Sequence, residues 1–196
     1  MNASAAPDKA TILFVCTANI CRSPTAELML RRRLGERRQH HLSVVSAGVS
    51  GMPGHSIDDV MGSMLAADGI DSTRFASRRL DEGDVAGADL ILTATAQHRS
   101  QVVQLAPRAL SKTFTLLEFT RLAGHLKTHA VGDGAERLHW LRDAATSNRN
   151  LVLPLDVPQD IADPYRQRGR QYRRIYQQIN QTVDALADAL GTGAQR

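Results

Sequence analysis

A thiol and a guanidinium lie close together in the stretch VCTANICRSPTAE, residues 15–27. Cys16 follows a short apolar run, and Arg22 stands six positions later, directly before Ser23 and Pro24. A cysteine thiolate is a strong nucleophile, and the planar guanidinium of arginine can hold two oxygens of a phosphate at once. The spacing therefore predicts a nucleophile that attacks a bound oxyanion.

The loop between these two residues supplies further positive charge. We predict a helix beginning at Pro24, whose fixed φ suits the first helical position, so the loop's peptide N–H groups can converge ahead of that helix. An anion bound there by Arg22 and the amides would lie beside Cys16, and the same field favours the thiolate. Attack on a phosphoryl group gives a phosphocysteine, and Ser23 can donate its hydroxyl to the sulfur or cap the helix. The predicted loop residues are Thr17, Ala18, Asn19, Ile20 and Cys21.

Buried strands and amphipathic helices alternate around this loop. The run at 11–15 is continuously apolar, which is typical of a strand buried on both faces, and the following helix is predicted to stop at Gly35. Further strands are predicted over 42–48, 88–95 and 112–116, and helices over 57–68, 81–85 and 97–105. This alternation predicts an α/β fold with a parallel sheet covered on both faces, whose ligands bind at the carboxyl ends of the strands.

The remaining segments are less regular. Residues 120–162 contain one predicted helix, 135–145, among Gly, Asn and Pro residues that indicate an excursion over the surface. From Gln167 an apolar stripe at helical spacing predicts a long core-covering helix that ends at Gly191. We expect one domain over 11–191, preceded at 1–10 by a disordered lead-in without apolar periodicity.

Composition excludes several classes of protein. The 196 residues are 42% hydrophobic, but no apolar run approaches the roughly 20 residues of a membrane span, and the start lacks the layout of a secretory signal. Two neighbouring cysteines cannot staple distant elements, so we expect a reducing, cytoplasmic setting, with signal-independent secretion left open. The net charge of +4 invites nucleic-acid binding. Solvated arginine-rich helix faces are the simpler explanation, so neither nucleic acid nor membrane is an expected partner.

Three blocks of the sequence together resemble one enzyme family. The pattern Cys-x5-Arg-Ser-Pro within ILFVCTANICRSPTAE is similar to the phosphate-binding loop of the low-molecular-weight protein-tyrosine phosphatases, and SAG at 46–48 and DIADPYRQ at 160–167 match further blocks in order. The resemblance implies a single domain with a twisted four-stranded parallel sheet and helices on both faces. It also implies hydrolysis of phosphotyrosine in proteins, or of other aryl phosphomonoesters, without cofactor or metal.

The resemblance assigns roles within the loop. Cys16 resembles the nucleophile, Arg22 the phosphate clamp and Ser23 the residue that stabilises the thiolate. Asn19 resembles the residue that braces the loop, and Ser46 is its expected partner.

The late block carries the remaining roles. Asp163 resembles the general acid that protonates the leaving oxygen and later activates water, and Pro164 biases its backbone towards an extended conformation. Tyr165 resembles part of the wall against an aromatic substrate ring. Arg166 departs from the pattern, because the family often has a second aromatic residue or a glycine there. Phe75 stands near where many members have a histidine.

Several alternatives remain open at this stage. Cys21 fits either a small apolar core residue or, as the resemblance implies, a partner for a reversible disulfide with Cys16. The same loop would suit an arsenate reductase that uses an external low-molecular-weight thiol, or a non-catalytic phosphoanion-binding module. His125 and His129, with His139 as a third ligand, could form a metal site, but solvated histidines are the favoured interpretation.

Overall fold

The computed structural model describes residues 9–39, 41–126, 134–149 and 159–191. Within these ranges the chain forms four strands and seven α-helices. In chain order they are β1 (Ala10–Cys16), α1 (Arg22–Glu36), β2 (Leu42–Gly48), α2 (Asp59–Ala67), α3 (Glu82–Gly87), β3 (Leu90–Thr93), α4 (Ala96–Leu105), β4 (Thr113–Thr115), α5 (Leu116–His125), α6 (Gly134–Ser147) and α7 (Gly169–Leu190). A 3-10 helix, Pro107–Lys112, joins α4 to β4.

The strands form one parallel sheet in the order β2-β1-β3-β4. In β1 the buried side chains alternate between two cores, with Ile12 and Phe14 on one face and Leu13 and Val15 on the other. This alternation is the period-two geometry of a strand covered on both sides. The predicted α/β class and four-stranded parallel sheet are confirmed.

The two cores differ in size because unequal sets of helices cover the faces of the sheet. The larger core takes buried side chains from α1, α2, α5, α6 and α7, and the smaller core from α3, α4 and the 3-10 helix. The carboxyl ends of β1 and β2 lie side by side, since Cys16 pairs with Gly48. Loops that leave this edge can therefore meet in space, as is usual for ligand sites in parallel sheets.

Most predicted boundaries differ from the observed ones by one or two residues, and three of these differences have a physical explanation. Ala10 belongs to β1, where it pairs with Leu42, and not to the lead-in, of which residues 1–8 lie outside the described residues. Helix α1 begins at Arg22, so Pro24 occupies the third helical position. That position is also free of an intrahelical N–H bond, which is why proline signals a helix start without fixing its first residue. Gly35 lies inside α1, which ends one residue later.

The interpretation of 120–162 as a surface excursion was wrong within the described residues. The first part of that segment belongs to α5, which follows β4 without a loop and buries Phe119, Leu122 and Ala123. Helix α6, predicted over 135–145, adds Leu138 and Leu141 to the same core. The missed signal was a capping box, in which Thr115 accepts from the Glu118 N–H and Glu118 accepts from the Thr115 N–H.

Helix α7 covers the larger core as predicted. Its two buried tyrosines also tie it to α2, because the Tyr172 hydroxyl donates to Asp58 and the Tyr176 hydroxyl donates to Asp68. Arg33 and Arg37 of the α1 region pair with Asp184 and Asp188 of α7. Arg33 and Arg37, at the carboxyl end of α1, therefore link two helices and are not simply part of a solvated face.

No helix in the described part of the chain is both long and apolar enough to cross a bilayer.

Gly48 is expected to be essential for the close approach of β2 to the loop after Cys16. A Cβ atom at this position would lie 2.5 Å from the Thr17 carbonyl oxygen and 2.8 Å from the Asn19 nitrogen. Replacing Gly48 by alanine should lower the free energy of unfolding in urea by about 1–3 kcal/mol, the usual cost of overpacking.

Gly35 provides a matched control, since a Cβ there has no atom within 4 Å and the residue is helical. Gly35→Ala should leave the free energy of unfolding unchanged or raise it by up to about 1 kcal/mol. Equal effects of the two alanines would contradict the proposed close approach.

Candidate active site

The loop after β1 is held with its carbonyl groups facing outward. Hydrogen bonds of 2.8–3.3 Å to the carbonyl oxygens of Cys16, Thr17, Ala18 and Ile20 come from the peptide N–H groups of Val49, Ser50, Met52 and Asp58. In a trans peptide the N–H group points opposite to the carbonyl of the same unit. The N–H groups of the following residues therefore face the concave side of the loop, and such converging amides bind anions.

Asn19 allows the loop to turn and also braces it. Its φ of 57° lies in the left-handed region, which asparagine tolerates better than most residues. Its amide nitrogen donates to Ser23 Oγ at 2.9 Å and to Ser46 Oγ at 2.8 Å, and its Oδ1 accepts from the Arg78 N–H at 2.9 Å. The predicted contact between Asn19 and Ser46 is present.

The Cys16 thiol lies at the floor of this loop and is 2% exposed. Its Sγ is 3.0 Å from Ser23 Oγ. Because Ser23 Oγ already accepts from Asn19, its own hydrogen is free to point at the sulfur, and the Ala47 carbonyl is farther away at 3.4 Å. The arrangement thus provides a hydroxyl donor that can stabilise a thiolate.

A buried carboxylate extends this network beyond the residues that sequence analysis selected. Ser46 Oγ donates to Glu27, which is 4% exposed and pairs with Arg31 at 2.9 Å. Burial raises the pKa of Glu27, while the hydrogen bond from Ser46 and the charge of Arg31 oppose that rise. Glu27 is the last residue of the quoted stretch, and only the fold brings it to Ser46.

Arg22 is 5% exposed and projects across the mouth of the loop. Its Nη1 donates to the Ile161 carbonyl at 3.1 Å, and its Nη2 donates to Thr17 Oγ1 at 3.1 Å and to Asp163 Oδ2 at 2.9 Å. Its Nε is buried and has no hydrogen-bond partner among the described residues. A buried, unsatisfied N–H on a cation is costly, and an oxyanion in the loop would satisfy it.

Asp163 reaches the site from a remote part of the chain. Its neighbour Ile161 donates to the Ala94 carbonyl at 2.8 Å, and Asp160 accepts from the Ala96 N–H at 2.7 Å, so the segment is fixed to the end of β3 and the start of α4. The Asp163 side chain is 49% exposed. It can therefore contact both Arg22 and solvent.

Tyr165 and Met52 are exposed apolar side chains next to the site. Tyr165 is 42% exposed. Its backbone N–H donates to Asp163 Oδ1 at 3.2 Å. The centre of its ring lies 5.2 Å from the Arg166 guanidinium. Met52 is 38% exposed, and its backbone N–H donates a hydrogen bond to the Ala18 carbonyl oxygen of the loop. Sequence analysis selected Tyr165 and missed Met52, because a methionine among glycines carries no pattern.

The second cysteine differs from the first in its surroundings. Burial, and then the charge of Asp58, raises the pKa of Cys21 far above its usual range. Cys21 is part of the larger core, which agrees with the prediction of a small apolar residue. Both cysteines are free thiols.

His98, in the first turn of α4, was missed by sequence analysis. Its Nε2 is 2.9 Å from Thr17 Oγ1, and its Nδ1 is 2.8 Å from Thr95 Oγ1. Burial, helped by the nearby positive charge of Arg22, lowers the pKa of His98 to about 4. A neutral imidazole therefore fixes the threonine that contacts Arg22. Its position just after a buried strand was the available signal.

The alternative metal site is not assembled within the described residues, where no three potential ligand side chains converge. His139 instead contacts Asp89 at 3.0 Å, at the opposite end of β3 from the loop. His125 ends α5, and His129 lies outside the described residues. Phe75 packs partly buried against the larger core.

Cys16 and Arg22 lie at the two ends of one anion-binding loop, which follows a strand of a parallel α/β sheet. This arrangement defines a class of phosphate-binding proteins with a cysteine nucleophile. Comparison with known proteins identifies the family. Residues 11–133 match the model of the low molecular weight phosphotyrosine protein phosphatases. The chain therefore belongs to this family. The matched segment contains the loop but ends before Asp163, whose position near Arg22 comes from the structure.

Individual relatives agree with this assignment. The chain is 39% identical over 103 residues to the low molecular weight protein-tyrosine-phosphatase Etp of Escherichia coli K12, an alignment that covers 53% of this chain and 66% of Etp, slightly under two thirds. It is 34% identical over 113 residues to the protein-arginine-phosphatase of Bacillus subtilis, and this alignment covers 55% of this chain and 71% of that protein. The structure also superposes on that of the tyrosine phosphatase Wzb of Escherichia coli K30 in complex with sulphate, with a TM-score of 0.67 and 26% sequence identity. The superposition covers 93% of this chain and 99% of Wzb.

The buried His98 should make stability depend on pH. The unfolded chain binds a proton at this histidine below about 6.5, whereas the folded chain binds it only below about 4. Stability therefore falls as the pH drops between these values, by up to about 3 kcal/mol. Urea unfolding at several pH values should show a smaller loss for His98→Gln than for the wild type.

The exposed His55 serves as the control for this measurement. His55→Gln should lose stability on acidification as steeply as the wild type does. Equal slopes for His98→Gln and the wild type would contradict the placement of a neutral, buried His98.

Proposed function

We propose that the chain is a phosphomonoester hydrolase that acts on phosphotyrosine in proteins through a phosphocysteine. One observation carries this proposal: the Cys16 thiol and the Arg22 Nε, which has no partner in the described part of the chain, belong to the same loop, whose amides face inward. A phosphate dianion in the loop would receive hydrogen bonds from these donors while its phosphorus faced the sulfur. That some relatives are named tyrosine phosphatases supports this substrate class.

The first step transfers the phosphoryl group to sulfur. The Cys16 thiolate attacks phosphorus, the bond from phosphorus to the aryl oxygen breaks, and Asp163 gives its proton to that oxygen. The phenol leaves, and Asp163 becomes a carboxylate. Arg22 and the inward-facing amides stabilise the negative charge on the transferring oxygens.

The second step releases phosphate. Asp163 accepts a proton from a water molecule, whose oxygen attacks phosphorus as the phosphorus–sulfur bond breaks. The products are inorganic phosphate and the Cys16 thiolate. Ser23 stabilises the departing sulfur through its hydroxyl, which lies 3.0 Å away.

The ion pair between Asp163 and Arg22 connects substrate binding to acid catalysis. Asp163 contacts the Nη2 edge of Arg22 at 2.9 Å. An incoming dianion competes for that edge of the guanidinium. Binding of the substrate thus releases Asp163 from Arg22, and its carboxyl group can then face the leaving oxygen.

Phosphotyrosine is favoured over phosphoarginine, the substrate class named for a further relative. The exposed Tyr165 ring, which directly follows the Asp163–Pro164 pair, offers an apolar contact to an aromatic ring. The Arg166 guanidinium beside that ring would repel the guanidinium group of a phosphoarginine. The rate of phosphate release from two peptides, one with phosphotyrosine and one with phosphoarginine at the same position, decides between these two substrate classes.

Two further predictions from the sequence, the bounds of the domain and its cellular setting, remain proposals. We place the phosphatase domain at 11–191, because α7 at its end covers the core that β1 begins. A cytoplasmic setting suits the two free thiols. Two rates distinguish a phosphatase from the alternative of an arsenate reductase. They are the turnover of para-nitrophenyl phosphate and the reduction of arsenate in the presence of an added low-molecular-weight thiol.

Removing the nucleophile should abolish turnover. Cys16→Ser is expected to hydrolyse no para-nitrophenyl phosphate above background, because a serine hydroxyl has no comparable anionic form at neutral pH. Cys21→Ala is the matched control and should lower kcat by less than about tenfold, since Cys21 is a protonated core residue. The proposal fails if Cys16→Ser keeps the activity of the control.

Asp163→Asn should lower kcat on phenyl phosphate by roughly 10²–10⁴-fold, the usual contribution of a positioned acid. The loss should be smaller on para-nitrophenyl phosphate, whose leaving group needs less protonation. Asp160→Asn is the control, because its Oδ1 can still accept from Ala96 and its carboxylate does not contact Arg22. An identical loss on both substrates would argue against acid catalysis by Asp163.

A further inference from the structure

Five exposed arginines follow the proposed acid within a short stretch of chain. They are Arg166, Arg168, Arg170, Arg173 and Arg174, here called the arginine surface. No acidic residue occurs between positions 164 and 183. Many of the other arginines in the described ranges are paired with carboxylates: Arg22, Arg31, Arg32, Arg33, Arg37, Arg78, Arg99, Arg142 and Arg149.

The arginine surface is a local concentration of positive charge. The stretch 164–183 contains five arginines, no lysine and no acidic residue, so its net charge is +5. The whole chain, with 24 Lys and Arg against 20 Asp and Glu, has a net charge of +4.

The local structure works against placing arginines here. Helix α7 begins at Gly169, has no acidic residue in its first turn, and its N-cap residue Arg168 makes no side-chain capping bond. Cations at this end of a helix oppose the helix dipole. Arg166 has a φ of 60°, a left-handed conformation that favours glycine. Neither capping nor backbone preference explains these residues, whereas recognition of an anion does.

The arginine surface begins at Arg166, three residues after Asp163, whose carboxylate contacts Arg22. The Tyr172 hydroxyl, inside the first turns of α7, donates to Asp58 at 3.0 Å. Asp58 in turn donates its N–H to the loop carbonyl of Ile20 at 2.8 Å. This short chain of contacts fixes the start of α7 beside the loop.

One face of the helix presents the charges outward. Tyr172, Ile175 and Tyr176 are buried, whereas Arg170, Arg173 and Arg174 share the opposite, exposed face. Their spacing of three and four residues places them on neighbouring turns, so they span about 6 Å along the helix axis. An extended peptide covers that length with about two residues.

We propose that the arginine surface docks acidic side chains of the protein segment whose phosphotyrosine occupies the phosphate loop. This inference rests on the proposed function and narrows its substrate class to phosphotyrosine with neighbouring glutamate, aspartate or further phosphotyrosine. A peptide is the fitting partner because the proposed substrate is a phosphotyrosine within a protein segment, and Arg166 follows the proposed acid Asp163 by only three residues. Arginine forks bind carboxylates and phosphates alike.

The test compares two phosphotyrosine peptides of equal length, one flanked by glutamates and one by glutamines. Release of inorganic phosphate should give the wild type a kcat/KM roughly tenfold higher on the acidic peptide at low ionic strength. The ratio should approach one at about 1 M salt, where exposed charges are screened. The variant with Arg170, Arg173 and Arg174 replaced by glutamine should lose most of the ratio and keep the wild-type rate on para-nitrophenyl phosphate.

The control replaces Arg32, Arg38 and Arg108 by glutamine and so removes the same charge elsewhere. Arg32 and Arg38 are exposed at the far end of α1 from the loop, and Arg108 is exposed on the 3-10 helix. This variant should keep the wild-type ratio. Equal losses in the two variants would reduce the effect to net charge and overturn the proposal.

Other outcomes also decide the question. Equal rates of the wild type on both peptides would overturn the docking surface while leaving the phosphatase proposal intact. Phosphatidylserine vesicles that bind the wild type but not the triple variant, together with equal peptide rates, would assign the surface to lipid instead. Loss of turnover on every phosphomonoester would refute the proposed function itself, so the two failures are distinguishable.

Discussion

The orientation of the peptide groups between Cys16 and Arg22 is the constraint on which the site depends. Their carbonyl groups bond outward to the β2 loop and to the start of α2, so their N–H groups face a common point. This requires β2 to approach closely, which only glycine allows at position 48, and requires a left-handed turn at Asn19. The anion site is therefore as rigid as the sheet edge to which it is attached.

The buried guanidinium of Arg22 poses an electrostatic problem that the fold solves locally. An unpaired cation in this position would be costly to bury. Asp163 provides a counter-charge that is half-exposed and can therefore exchange between Arg22 and solvent. His98 stays neutral nearby, since its pKa is lowered to about 4 by burial and by Arg22. The Arg22 guanidinium thus remains available to bind an anion, and the neutral imidazole of His98 adds no second positive charge beside it.

Much of the fold was predictable because its signals are local. Continuous apolar runs identified the strands, and the stripe from Gln167 identified α7. The errors came where two elements meet without a loop, as β4 and α5 do at Thr115, and where proline or glycine marked a helix end only approximately. The packing of α6 into the core was not predictable, because its few apolar residues acquire a partner only when α5 and α7 are in place.

The sequence by itself determined the loop chemistry, since Cys16, Arg22 and Ser23 are neighbours in the chain and their spacing fixes what they can do together. Tertiary structure decided the rest of the site. Glu27, Met52 and His98 join it through contacts with residues far away in the chain. Asp163 was selected by resemblance, but its contact with Arg22 spans 141 residues of chain. Such contacts depend on how strands are ordered in the sheet, which is settled by packing over the whole core and not by any one segment.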